Sequence, residues 1–564
     1  FGGLTSIVPT EILERLDFYP GNFSPEYGRQ MGGIIDLGFR SPRKDRFGGL
    51  LQFDLIDGRF LAEAPLGKST RFLLAGRRSW VDTWLGPALE GAGAAVSAAP
   101  VYYDYQAMIE QDLSSSTTAR LLFFGADDRF KLNINTPSST DPGLGGDIGQ
   151  TSTFYRVQAR TDSRLNDRTR WINMMSFGYN GEHFELGSVK VDGAYRIVDG
   201  RSDFRTQLGR SVTAVAGLSL LAGTYDVNVI SPARPPDGEV PGPLYGSPLF
   251  ALAGNGTLWR PGAYAMLEVA PVDGLKLVPG VRVDYASEAS QVTVDPRLTA
   301  RYDIAKSPLR TTVKAGAGMF HQPPQPFEAI APFGSPNVKT NYAIHYSLGM
   351  EQQLSADLDL SLEGFYKDLK DLVVGRSAGT SASGGTNFTN TGEGRAYGTE
   401  FLARWKPGGG PFSGFLAYTI SKSERRLDDS RPFSTFEFDQ THILNMLATD
   451  KLGRGWSVGG RFRYVTGNPY TPYTGAVADF DAGVYTPIAS PSLNSARVAP
   501  FHSLDLRVDK TWTFTDWKLT AYLDVRNAYN RQNPEAMTYN YNYSQSTVLA
   551  GLPILPIIGV RGEL

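Results

Sequence analysis

The chain has 564 residues, too many for one ordinary soluble domain, and its 55 basic and 57 acidic side chains nearly cancel to a net charge of −2, with no basic stripe, which excludes nucleic acid as a partner. The absence of cysteine excludes disulfides, zinc–thiolate centres and thiol catalysis. No apolar run approaches the ~18 residues of a membrane helix, which removes helical membrane proteins but not barrels, whose apolar positions are diluted one for one by lumen-facing polar ones.

Residues 1–45 do not follow a strand rhythm. Pro9, Thr10 and Glu11 predict one helical turn with Thr10 as its cap. A strand-like Leu16-Asp17-Phe18 follows, then a turn at Pro20-Gly21-Asn22. Gly28, Gly32 and Gly33 surround a second short strand, Ile34-Ile35-Asp36-Leu37, where glycine permits positive φ or close backbone approach. This segment reads as a compact αβ piece ahead of a barrel occupying 46–564. No leader precedes Phe1, so the sequence is read as mature or trimmed.

From residue 46 onward, apolar and polar residues alternate. Leu358, Leu360 and Leu362 interleave with Asp359, Ser361 and Glu363, and Leu504, Leu506 and Val508 with Asp505, Arg507 and Asp509. Trp517, Leu519, Ala521, Leu523 and Val525 repeat the pattern after a tight turn. Successive side chains of a strand point to opposite faces, so each ribbon has one apolar and one charged face. In a soluble sandwich the apolar face would meet a second sheet; in a transmembrane barrel it meets lipid while the charged face lines the interior. The pattern predicts about 22 strands, an even number within the bacterial range. Every second connection is short, as at Gly67-Lys68-Ser69, Val272-Asp273-Gly274 and Gly453-Arg454-Gly455, and those between are mostly long. Short periplasmic turns and long outer loops are the barrel arrangement, and a sandwich has no reason to gather its long loops at one end. A strand of ~11 residues at ~3.3 Å rise, tilted ~45°, spans about 25 Å, the height of a barrel's apolar band. Trp512, Phe514 and Trp517 flank a short turn, where an aromatic girdle would lie.

Several segments resemble one family. Asp17-Phe18-Tyr19-Pro20-Gly21, then Tyr27-Gly28, then Gly32-Gly33-Ile34-Ile35-Asp36, resemble the end of the plug domain of TonB-dependent outer-membrane receptors. Asp295-Pro296-Arg297-Leu298, Gly394-Arg395-Ala396-Tyr397-Gly398-Thr399-Glu400 and Asp524-Val525-Arg526-Asn527-Ala528-Tyr529-Asn530 resemble barrel strands of the same family, in the same order. The resemblance implies an all-β membrane protein: a 22-stranded antiparallel barrel with a small αβ plug remnant, residues 1–45 being the C-terminal part of the plug and 46–564 the barrel. It implies a plug motif of Gly21, Tyr27, Gly28, Gly32, Gly33 and Asp36. It further implies a bacterial outer-membrane location, lipid around the wall, an unknown small solute as cargo, and the inner-membrane TonB–ExbB–ExbD motor as partner. A family plug has ~130–150 residues, a domain-sized piece; only its last third is present here, and the energy-coupling box is absent. The last residue is Leu564 where the family usually has Phe. These departures motivate an alternative, a structural barrel in a larger assembly with other envelope proteins.

No catalytic set is found. His183, His321, His345, His442 and His502 are scattered, with no pair at metal spacing, so neither an enzyme nor a cofactor or metal centre is expected. His321 and Gln322, at the outer end of a strand before Pro323-Pro324, are candidate ligand contacts, the commoner alternative being a histidine beside a proline turn. Tyr539, Tyr541 and Tyr543, alternating with asparagine in a long outer loop, offer amphipathic contact surface, unless they belong to a strand extended above the membrane.

Overall fold

The computed structural model describes residues 8–84, 96–98, 100–134, 146–232, 248–306, 309–380, 386–481 and 483–564. Twenty-two antiparallel strands close into one barrel, each bonded to its sequence neighbours. Two short strands precede them: β1 (Leu13–Tyr19) pairs antiparallel with β2 (Ile34–Phe39). The barrel strands are β3 (Gly48–Asp54), β4 (Asp57–Pro65), β5 (Thr70–Ser79), β6 (Val101–Asp112), β7 (Thr117–Ile134), β8 (Gly146–Asn166), β9 (Thr169–Leu186), β10 (Val189–Gln207), β11 (Val212–Pro232), β12 (Leu249–Val269), β13 (Leu275–Ala286), β14 (Gln291–Ala305), β15 (Thr311–Gln322), β16 (Asn341–Gln353), β17 (Leu358–Thr380), β18 (Thr386–Trp405), β19 (Phe412–Arg426), β20 (His442–Gly453), β21 (Trp456–Val465), β22 (Phe501–Thr513), β23 (Lys518–Arg526) and β24 (Leu555–Glu563). The wall is sealed where β3 meets β24, from Leu50 opposite Glu563 to Asp54 opposite Gly559.

The alternation sorts the wall as hydrocarbon requires. Leu218, Leu348, Val292 and Ile558 are each more than 60% exposed and face outward, with no second sheet among the described residues to cover them. Closure pairs every strand on both sides, which removes the unpaired edges that a bilayer cannot solvate. Trp171, Phe204, Trp405, Trp456, Trp512 and Trp517 lie outward near the strand ends joined by the short turns, and the Phe514 and Trp517 rings stack at 4.5 Å. A second outward set includes the stacked pairs Tyr155–Tyr179 and Tyr366–Tyr397. Tyr179 and Tyr397 each stand eight residues from a lower-belt tryptophan, Trp171 or Trp405. At ~3.3 Å rise and ~45° tilt that separates the belts by about 19 Å, within the apolar band.

The structure differs from the sequence pattern mainly above the membrane. Alternation predicts strands over 118–127 and 262–271, but the first runs on to Ile134 and the second begins already at Leu249. Polar residues that look like loop continue the ladder there, because water satisfies both faces of an emergent ribbon. Among the described residues three outer connections are tight rather than long, at Leu55-Ile56, at Gly187-Ser188 and at 287–290. At the N-terminus the helical turn is a 3-10 turn, Thr10–Ile12, with Pro9 rather than Thr10 in the capping position.

Residues 8–43 bond to inward-facing side chains on separate arcs of this closed wall, so the segment lies in the lumen. Ile12, fully buried, enters an apolar socket formed by Leu50, Leu61, Leu73, Met108 and Leu122, all on the inward register. Burying such a side chain contributes roughly 1.5–3 kcal/mol.

Candidate functional site

The site is the interface between the lumen segment and the wall. After β1 the chain turns at Pro20-Gly21-Asn22 and lies across β13 to β17, where its main-chain carbonyls accept bonds from three wall cations. Arg297 Nη1 donates to the carbonyls of Phe23 at 3.3 Å, Ser24 at 2.9 Å and Tyr27 at 2.6 Å. Arg282 Nη1 donates to Pro25 at 3.2 Å and Glu26 at 3.3 Å. Lys367 Nζ donates to Pro20 at 2.6 Å and Gly32 at 2.8 Å. Each arginine also keeps a carboxylate of its own strand: Asp284 bridges Arg282, and Asp295 accepts from Arg297 at 3.1 Å. Alternate residues of one strand face the same side, which is why the spacing Arg282/Asp284 and Asp295/Arg297 recurs.

An aromatic stack backs these bonds. Phe23 meets Phe320 edge to face at 4.6 Å, Phe320 stacks on His345 at 4.2 Å, and the Arg297 guanidinium lies 4.1 Å from the Phe320 centroid. Asn22 threads between β15 and β16, bonding Gly316 at 3.3 Å and Ser347 at 2.8 Å. From the segment side, Arg29 pairs with Asp284 at 3.0 Å and Ser219 at 2.6 Å, holding a positive φ of 63°.

The predicted plug motif gathers here. Gly28 packs directly on the Arg282 guanidinium, where a Cβ would overlap it, and a Cβ on Gly33 would sit 2.7 Å from the Tyr19 carbonyl. Gly21 faces His345 and Lys367 at ordinary to tight spacing, and Gly32 borders open space. Tyr27 carries the Arg201 guanidinium 5.4 Å above its ring, and burial, reinforced by Glu26 and Asp36, pushes its hydroxyl pKa up, keeping it protonated. Asp36 pairs with Arg15 across the β1–β2 hairpin. A second set of bonds holds the far side: Arg40 grips Glu63 at 2.7 and 2.8 Å, Arg120 reaches the Phe39 carbonyl at 2.9 Å, and Arg561 of the last strand reaches Glu11 at 2.8 Å.

The outer-loop candidates divide. His321 Nδ1 lies 2.5 Å from Asp295, so it belongs to the network that orients Arg297, and Gln322 accepts from the Met31 amide at 3.3 Å. Tyr539, Tyr541 and Tyr543 lie on and beyond the outer strand Pro534–Tyr539. Tyr539 and Tyr543 close around Tyr473 at 4.6 and 4.9 Å, and Tyr541 meets Tyr485 at 5.6 Å. Tyr473 and Tyr485 sit on an outer hairpin, Tyr473–Asp479 with Val484–Ala489, so two loops share one aromatic cluster. Burial, with the neighbouring Tyr543 and Tyr539, raises the Tyr473 pKa. Sequence reasoning singled out Asp295 and Arg297 only as a family pattern, and it missed Arg282, His345 and Lys367. Among many lumen charges only their opposition to glycine-flanked carbonyls sets them apart.

The sequence model described as "TonB dependent receptor-like, beta-barrel" matches residues 101–528. No curated protein matches the chain in sequence. Among solved structures, the outer membrane transporter YddB from Escherichia coli is similar at 11% identity, covering 99% of this chain and 85% of that one, with a TM-score of 0.70. The ferripyoverdine receptor of the Pseudomonas aeruginosa outer membrane is 15% identical over 95% of this chain and 74% of its own, also at 0.70. The copper transporter OprC is 15% identical, covering 98% and 86%, at 0.69. With a segment pinned inside a closed 22-stranded wall and a family match over most of its length, the chain belongs to the TonB-dependent receptors of the bacterial outer membrane.

Proposed function

We propose that this receptor imports a scarce small solute bound first by its outer loops, with residues 1–45 as the last part of its plug and 46–564 as its barrel. The inner-membrane TonB–ExbB–ExbD motor is the partner that displaces the plug. The observation that carries this reading is the chemistry of the anchors. Arg282 and Arg297 hold the segment by neutral main-chain carbonyls while each keeps its own carboxylate. A bond from a charged donor contributes about 1.5–3 kcal/mol, and removing the partner of a buried charge costs more. At these anchors withdrawal exchanges carbonyls for water and strands neither arginine, so this part of the seating is firm and reversible, whereas the buried Glu63 loses Arg40 and is the costly contact to break. The Tyr473–Tyr539–Tyr543 cluster supplies rigid amphipathic surface for the solute, with Tyr541, exposed beside it, as a contact.

Liposome swelling in arabinose tests the gate. Vesicles carrying the full-length receptor should stay closed, and the double variant Arg282→Met with Arg297→Met should admit the sugar. Free swelling with the unmodified protein would defeat the gated reading. Recovery of the receptor in a fixed ratio with other envelope proteins, without binding to purified TonB, would favour a scaffold.

A further inference from the structure

The chain between β15 and β16 is fastened to the wall at several points. Residues 323–340 hold one helical turn, Pro326–Ala329, and otherwise no regular structure. A connection of this length is usually functional. Phe333 rests on Gly254, on the inward register of β12, where an added Cβ would come within 2.6 Å of its ring. On the other side Ala329 and Val338 pack against Phe388 of β18, and Ser335 Oγ accepts from the Phe388 amide at 2.7 Å. The loop therefore spans the arc of wall that seats the lumen segment.

Its root lies in the seat itself. Gln322 accepts from the Met31 amide, and His321 holds the buried Asp295 twice, through Nδ1 to Oδ1 at 2.5 Å and through its amide to Oδ2 at 3.2 Å. A carboxylate only accepts, so Nδ1 carries the proton. Arg297 Nη2 takes Oδ2 at 3.1 Å, and its Nε is engaged by the Met319 carbonyl at 3.3 Å. Nη1 is left to the carbonyls of Phe23, Ser24 and Tyr27. Arg282 shows the alternative. Asp284 clasps it with both oxygens, through Nε at 2.5 Å and Nη2 at 2.7 Å. Its carbonyl bonds are the longer ones, 3.2 and 3.3 Å against 2.6 and 2.9 Å for the shorter two of Arg297.

We propose that His321 is a positioning residue that keeps Asp295 from closing on Arg297, and that the loop 323–340 is the lever by which a solute bound outside withdraws it. Drawn away with the loop, His321 uncovers Oδ1. With Nε engaged, the second bond of a fork to Asp295 has to come from Nη1, the atom that holds three carbonyls. Forked guanidinium–carboxylate pairing is stronger than bonds to neutral acceptors, so the pair closes and the segment is let go. The two states differ in which donor Oδ1 accepts, and a solute biases them through its contacts with the loop. The lever rests on the transport reading; the role of His321 in the seat does not.

Hydrogen exchange on the full-length receptor in detergent tests it, read at the amides of 22–31. His321→Ala should speed their exchange about tenfold, the loss expected for bonds from a charged donor. His321→Asn should restore protection, because its amide nitrogen stands where Nδ1 did. Combining His321→Ala with Asp295→Asn should also restore it, to within about threefold of wild type, since a neutral amide does not draw Arg297 from the carbonyls. Phe333→Ala, which unseats the loop, should speed the same amides when Asp295 is intact and not in the Asp295→Asn background. Heat-modifiable migration on gels verifies that each variant barrel is folded. Additive losses in the double variant, or exchange indifferent to His321→Ala, would overturn the role of His321, and a silent Phe333→Ala would overturn the lever. If the unmodified receptor swells freely in arabinose while these exchange patterns hold, the transport reading falls and the switch at Asp295 stands.

Discussion

At the scale of single residues, the lumen segment is held by contacts that need the absence of a side chain as much as the presence of one. Gly28 lets the backbone touch Arg282, whereas Gly32 offers its carbonyl to Lys367 with space around its Cα. Gly28→Ala should therefore force Arg282 from its bonds to Pro25 and Glu26, and Gly32→Ala should be nearly silent. Limited proteolysis of residues 20–40 reads the difference: rapid cleavage in the first variant, wild-type resistance in the second. Equal behaviour would mean that close approach at Gly28 is not what seats the segment. The glycines were legible in the sequence as a pattern, but which of them is sterically required was not. That depends on a guanidinium about 250 residues away in the chain, and no local spacing encodes such a partner.

At the scale of elements, strand alternation and turn length gave all twenty-two wall strands their order, because each strand faces lipid on one side and water on the other. What alternation does not encode is the length of ribbon standing above the membrane, since both of its faces are wet and its composition is that of a loop. The aromatic outer cluster was half visible for the same reason. Tyr539, Tyr541 and Tyr543 announced themselves by repetition, while Tyr473 and Tyr485 are isolated in sequence and meet them only through the fold. Ring pairs of this kind contribute roughly 1 kcal/mol each beyond their buried area. Tyr473→Ala breaks two of them, so the amides of 466–500 and 527–554 should lose hydrogen-exchange protection together. Loss confined to the mutated loop would show that the two do not act as one body.

At the scale of the whole molecule, the two aromatic belts fix where the bilayer sits. Lipids brominated near the headgroup should quench the fluorescence of the receptor's tryptophans more than lipids brominated at the chain ends, since Trp171, Trp405, Trp456, Trp512 and Trp517 all lie at the lower rim. Stronger quenching from the chain ends would place the belt elsewhere. The seam between β3 and β24 has a consequence for how such an object can be made at all. Without β24 the sheet has two raw margins, each a row of unsatisfied amides that hydrocarbon cannot tolerate. The cylinder is thus completed by β24, and that strand carries Arg561, which grasps Glu11 of the inner segment. Biogenesis must therefore shelter an unfinished ring and thread its contents before the circle shuts, so that the act of sealing also fastens what has been enclosed.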